Sequence, residues 1–111
     1  LIQNIEYFES TDLEITETHH KKKIDSPSGT AILMADTIRK SSKKKADINI
    51  NSIRKGSAVG EHTLISFGDQ ENIYITHEAL DRSIFATGAL VMGNKITRKR
   101  NGFYTILDLL E

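Results

Sequence analysis

The chain has 111 residues, 38% of them hydrophobic and 27% charged, which suits one globular core and is too short for two domains of ordinary size. Fifteen basic and fifteen acidic side chains cancel, so no overall field draws the protein onto nucleic acid or a membrane surface. The absence of cysteine excludes disulfides, thiolate catalysis and Cys-based zinc sites, and no apolar run approaches the roughly 20 residues of a membrane span. A reducing, cytoplasmic setting is the expectation. The first residue is Leu1 rather than methionine, so the sequence is read as a fragment or a processed piece.

Leu1–Ser10 is short and mixed, and reads as the tail of an element that begins upstream. Asp12–His19 alternates with the period of a strand, placing Leu13, Ile15, Glu17 and His19 on one face and Glu14, Thr16, Thr18 and His20 on the other. Lys21–Pro27 has neither period and reads as a loop. Ser28 is a good N-cap, and Ala31, Met34, Ala35 and Ile38 form a helical stripe, which predicts a helix from about Gly29 to Lys40. Ser41–Lys45 is a basic loop, and Asp47–Ile53 a second strand. Glu61–Phe67 and Ile73–Ala79 predict a hairpin around Gly68–Asn72. With Phe67 opposite Ile73, one face would carry Thr63, Ile65, Phe67, Ile73, Ile75 and His77. Ser83 is read as the cap of a second helix reaching about Arg100, with Phe85, Ala89, Met92 and Ile96 as its stripe and Asn101-Gly102 as its stop. Gly88 and Gly93 inside it indicate either close approach of a neighbouring backbone or a weak helix. Phe103–Leu110 is apolar, a short strand or a docking tail. The predicted class is α+β, a four-stranded mixed sheet with two helices, leaving one sheet face uncovered and available for oligomerisation.

The chemistry gathers in Glu17–Ala31. Ser28-Gly29-Thr30 presents free backbone N–H groups at the positive end of a helix, a place for a carboxylate or phosphate; the plain alternative is a Ser-capped helix without a ligand. Adjacent residues on a strand point to opposite faces, so His19 and His20 are not expected to share a metal ion, and none is expected elsewhere. At the strand's end one ring can face a pocket while the other supports a ligand, and histidine titrates where a general acid must. Lys23 can offer a point charge or a proton to an acid, whereas Lys21 and Lys22 are read as solvated. Asp25 can orient Lys23, a histidine or the loop backbone. His62 and His77 fall on opposite faces of the predicted hairpin, which argues against a shared metal. Arg54-Lys55-Gly56 is read as structural.

Glu17-Thr18-His19-His20-Lys21-Lys22-Lys23-Ile24-Asp25-Ser26-Pro27-Ser28-Gly29-Thr30-Ala31 resembles the E-x-H-H-x-x-K-x-D-x-P-S-G-T-A signature of the dihydrodipicolinate reductase family. Ser52-Ile53-Arg54-Lys55-Gly56, Val59-Gly60-Glu61-His62-Thr63 and Thr76-His77 are also similar to that family, so the likeness covers nearly the whole chain. The resemblance implies hydride transfer from NADPH or NADH to a cyclic, unsaturated imine dicarboxylate, giving tetrahydrodipicolinate on the diaminopimelate route to lysine. It implies His19 as proton donor or acceptor, Lys23 as second proton donor, His20 as a substrate contact, and Ser28, Gly29 and Thr30 as the carboxylate turn. It implies a homotetramer assembled through the open sheet. The family's N-terminal Rossmann domain has no counterpart here, since the seven glycines include no G-x-G-x-x-G. Residues 1–111 are therefore expected to be one substrate-binding and oligomerisation domain that does not turn over alone. Residues 1–11 would be a remnant of the inter-domain segment, and 83–111 would pack toward the cofactor domain. The competing functions are a non-catalytic, self-assembling module for a dicarboxylate or phosphate and, more distantly, a nucleic-acid module resting on the Lys21–Lys23, Lys43–Lys45 and Arg98–Arg100 clusters.

Overall fold

A computed structural model of the chain describes residues 11–42 and 47–110. The predicted N-terminal tail over Leu1–Ser10 and most of the basic loop lie outside the described residues. The elements in order are β1 (Asp12–His19), α1 (Gly29–Ser41), β2 (Ile48–Arg54), β3 (Gly60–Phe67), β4 (Asn72–Ala79), α2 (Ser83–Ile96) and α3 (Ile106–Leu110). They fall into two compact units, Leu1–Leu80 and Asp81–Glu111.

The first unit is a four-stranded mixed sheet in the order β2-β1-β3-β4. β1 and β2 are parallel because the chain crosses between them through α1, with Ile15 opposite Ile50 and His19 opposite Arg54. β1 pairs antiparallel with β3, which sets Glu17 opposite His62 and Ile15 opposite Leu64. Ala31, Ala35 and Ile38 of α1 are buried against Ile15 and Ile48, with Leu13, Met34, Ile50 and Leu64 packed around them. The two alanines let the helix lie close to the sheet, and full burial of Ile15 contributes about 1.5–3 kcal/mol. Ser28 caps α1 as its type predicts, its Oγ accepting from the Ala31 amide at 3.2 Å. Arg39 and Lys40 sit in the last turn, where the helix end is negative.

The hairpin departs from the sequence expectation by one residue. Phe67 pairs with Asn72 rather than with Ile73, leaving Gly68–Glu71 as the loop. The Gly68 amide donates to the Glu71 carbonyl at 2.9 Å, and a Cβ on Gly68 would come within 2.8 Å of that oxygen, so the turn requires glycine. A one-residue slip turns every β4 side chain to the other face. The apolar face predicted from Thr63, Ile65, Phe67, Ile73, Ile75 and His77 therefore does not form. Ile73, Ile75 and His77 instead share the helix side with Ser66, Leu64 and His62, while Thr63, Ile65 and Phe67 share the open side with Thr76, Tyr74 and Asn72. His62 and His77 are direct cross-strand neighbours, not residues of opposite faces.

The second unit corrects three further expectations. Ser83 lies inside α2 rather than capping it; the carboxylate of Asp81 accepts from the Ser83 amide at 2.7 Å and does that work. The helix stops at Ile96, so Arg98–Arg100 lie beyond it. No residue of α2 is buried, and among the described residues a Cβ at Gly88 or Gly93 would meet nothing within 4 Å beyond its own stretch of helix, so these glycines mark no close packing there. Phe103–Leu110 is not a strand, and its end is helical. Thr105 and Asp108 form a capping box, with Asp108 Oδ2 accepting from the Thr105 amide at 2.7 Å, and this starts the third helix among the described residues. Lys95 Nζ donates to the Leu109 carbonyl at 2.7 Å and joins α3 to α2.

Candidate active site

The site grows from the last three residues of β1. Alternation sends Glu17 and His19 to the helix side, where Glu17 is fully buried and His19 nearly so. A buried carboxylate is costly unless its oxygens are satisfied, and here both are. Oε1 accepts from Arg54 Nη2 at 2.7 Å and from the Ser28 amide at 3.1 Å. Oε2 accepts from Arg54 Nη1 at 2.9 Å and is hydrogen-bonded to Nδ1 of His19. Burial by itself pushes the Glu17 carboxyl up. The bonds from Arg54, His19, Ser52 and the Ser28 backbone outweigh it and hold the group at about 2. The carboxylate in turn raises the Arg54 guanidinium.

Arg54 comes from the end of β2, opposite His19, and its Nη2 also donates to the Asp25 carbonyl at 2.7 Å. The loop is thus tied to the sheet at its middle. At its start, the His20 amide donates to the Ala58 carbonyl at 2.9 Å and the Lys55 amide to the His19 carbonyl at 3.1 Å. Lys23 Nζ lies 2.9 Å from the Asp25 carboxylate, and that contact lowers the Asp25 carboxyl. Among the roles open to Asp25, its side chain pairs with Lys23 and its carbonyl binds Arg54.

His62 enters from β3. Its ring stands edge-on to that of His19, with centroids 5.1 Å apart, and its Nε2 is 2.9 Å from Ser28 Oγ. Burial pushes the His62 ring down, and the neighbouring His19 acts in the same direction. Ser28 therefore joins three elements: its amide binds Glu17, and its Oγ binds both the Ala31 amide and His62. Gly29 and Thr30 are exposed at the start of α1, where their N–H groups have no intrahelical acceptor, and a Cβ on Gly29 would point into open space. An anion arriving there meets two amides and the positive end of the helix dipole.

Of the residues singled out in the sequence, His19 and Ser28 converge on Glu17, Gly29 and Thr30 adjoin them, and His20 and Lys23 lie on the loop between. Glu17, Arg54 and His62 were not assigned roles. Glu17 had a signal, since it shares a face with His19 two residues away. Arg54 and His62 became visible only through the register of β2 and β3 against β1. Glu17, His19 and His62 have ligand atoms within 4.8 Å of one another. A metal ion is a poor fit there, because both Glu17 oxygens already carry the Arg54 guanidinium and an ion would have to displace it.

The first unit is a mixed-sheet domain with a buried Glu–His pair beside a helix start whose first amides are free of intrahelical acceptors. The family model described as "Dihydrodipicolinate reductase, C-terminus" matches residues 1–110. The chain belongs to this family. It is 40% identical over 120 residues to the 4-hydroxy-tetrahydrodipicolinate reductase of Buchnera aphidicola subsp. Cinara cedri (strain Cc), covering 92% of this chain and 44% of that protein. The enzyme of the same name from Clostridium novyi (strain NT) is 41% identical over 119 residues, covering 94% of this chain and 47% of the relative. The chain spans less than half the length of these curated relatives. Among solved structures, a dihydrodipicolinate reductase from Paenisporosarcina sp. TG-14 with dipicolinate bound superposes with a TM-score of 0.77. It is 23% identical, and the match covers 95% of this chain and 46% of that one, a likeness of fold.

Proposed function

We propose that this chain is the substrate-binding and assembly part of a reductase that transfers hydride from NADPH or NADH to a cyclic imine dicarboxylate, 4-hydroxy-tetrahydrodipicolinate or its dehydrated form. The product is tetrahydrodipicolinate, on the diaminopimelate route to lysine. The observation that carries this reading is the single carboxylate of Glu17, which holds both the His19 ring and the Ser28 amide at the start of α1. A proton-transfer group and a carboxylate-accepting turn are thereby fixed side by side. The dipicolinate of the Paenisporosarcina structure, a pyridine dicarboxylate, is an acid of the required shape.

In this reading the Gly29 and Thr30 amides grip one carboxylate, and Ser28, whose own amide is held by Glu17, contributes to the site by fixing the turn that presents them. Lys23 supplies a cation and a second proton, and His20 contacts the substrate. His19 delivers or removes the proton that balances the hydride. The cofactor supplies that hydride, but the described residues do not fit it. The β1–α1 turn lacks the three spaced glycines that let a pyrophosphate approach backbone, and Ser28 is already engaged by His62. A separate dinucleotide-binding domain is proposed to hold it, and the 111 residues alone are expected not to turn over. The open sheet face is proposed to pack against copies of itself in a cytoplasmic homotetramer.

Replacing His19 by glutamine in the reductase that carries this chain tests the catalytic assignment. Loss of reduction with retained binding of a pyridine dicarboxylate is expected. Unchanged turnover would remove His19 from the mechanism and favour the second reading, a dicarboxylate-binding self-assembly module, for which the exposed Phe67 and Tyr74 on the open face are the motive.

A further inference from the structure

The hydrogen bonds around Glu17 decide more than its own charge. An ionised carboxylate only accepts. The Ser28 amide and Arg54 Nη2 meet one oxygen, Arg54 Nη1 and the His19 ring meet the other, and Ser52 adds a further bond to the carboxylate. The hydrogen in the contact with His19 therefore sits on Nδ1. That leaves Nε2 as the ring atom whose protonation can change. Nε2 lies over Gly60, where a Cβ would come within 3.0 Å of it, so a side chain at this position would crowd the atom.

We propose that Glu17, clamped by Arg54, is the positioning residue of the site: it holds His19 in the Nδ1–H tautomer and makes Nε2 the atom through which the ring exchanges its proton. The proton passes from Nε2 of the imidazolium to the substrate, balancing the hydride, the ring remains neutral with its hydrogen on Nδ1, and solvent restores the proton. This geometry is more than an ion pair that happens to be buried. Arg54 could satisfy Glu17 without His19, yet the carboxylate divides its oxygens between the ring and the helix start. Arg54 also binds the Asp25 carbonyl, so the same clamp that sets the tautomer holds the loop bearing Lys23. The inference rests on the reading of His19 as the proton-transfer group, but its geometry is open to measurement without turnover.

The experiment is nitrogen NMR of the histidine rings in the full chain, in mildly alkaline solution where the neutral form is read, with His19 assigned by the signal lost in His19→Gln. The expected spectrum has a protonated Nδ1 and a bare Nε2. A predominant Nε2–H form, or an even mixture, would overturn the proposal. In Glu17→Gln, either orientation of the amide turns its NH₂ against two existing donors, so the population is expected to shift toward Nε2–H. An unshifted tautomer would show that Glu17 does not set it. Glu17→Asp, which keeps the acceptor, is expected to restore part of the Nδ1–H population. Should the glutamine variant fail to fold, the wild-type tautomer decides alone. An Nδ1–H ring together with undiminished reduction by His19→Gln would keep the positioning geometry and dismiss the reductase role of His19, so the two failures are distinguishable.

Discussion

The end of β1 and the open face of the same sheet are built on opposite terms. Around Glu17 the side chains are charged or titratable and buried, and donors meet both carboxylate oxygens. On the open face, Ile65 and Tyr74 stand opposite each other, Phe67 and Tyr74 are exposed, and the side-chain bond between Thr63 and Thr76 is neutral. The first region spends hydrogen bonds to fix a geometry. The second exposes Phe67 and Tyr74 among polar neighbours. In the proposed reading one face of the sheet serves chemistry and the other assembly, and substitutions in the two should fail in different ways.

The largest effect is expected at the clamp. Arg54→Ala leaves a fully buried carboxylate without its counter-ion and should cost about 3–5 kcal/mol in urea unfolding of the chain. Acid should reach the same interaction by another route. The folded Glu17 carboxyl sits at about 2, below its ordinary 4.5, so the unfolded chain takes up the proton first as pH falls. Its contribution, on the order of 3 kcal/mol, is complete above about pH 4.5 and is lost as pH falls toward 2. Asp25, Asp81 and Asp108 are also lowered and act with the same sign, but they are exposed and screened. Urea midpoints measured from pH 6 to pH 2 should therefore fall steeply in the wild type and much less in Glu17→Gln.

Ser28→Ala removes the cap of α1 and the partner of His62, and about 1–2 kcal/mol should be lost in the same unfolding assay. The smallest change in monomer stability is expected on the open face. Tyr74→Glu, at a position 59% exposed, should alter stability by less than about 0.5 kcal/mol, yet sedimentation should show association weakened or abolished. A large stability loss with association unchanged would invert the contrast between the two regions.

Much of the fold was legible because it rests on local signals. The alternation of β1, the Ser28 cap and the Ala31–Ile38 stripe each report on a single element and landed within a residue or two. The hairpin failed because register is not a local property. Gly68–Asn72 accommodates a loop of either length, and the difference of one residue moved Ile73, Ile75 and His77 to the other face. The end of the chain failed for a different reason. Its helix is announced by the polar pair Thr105 and Asp108, while its apolar residues carry the periodic signal of neither state. At the site, the motif named the residues offered to a ligand but not those that hold them. Arg54 and His62 reach Glu17 and Ser28 across 37 and 34 positions of sequence, and only strand pairing brings them there.

The central claim, that the β1–α1 junction grips a dicarboxylate beside His19, is tested most directly by titrating the chain with pyridine-2,6-dicarboxylate while following its backbone amides by NMR. The amides of Gly29 and Thr30 should shift most, with His20 and Lys23 following, and Gly29→Pro, which removes one donor, should weaken the response. Saturating ligand that leaves Gly29 and Thr30 unmoved, or that shifts only residues remote from this junction, would contradict the account.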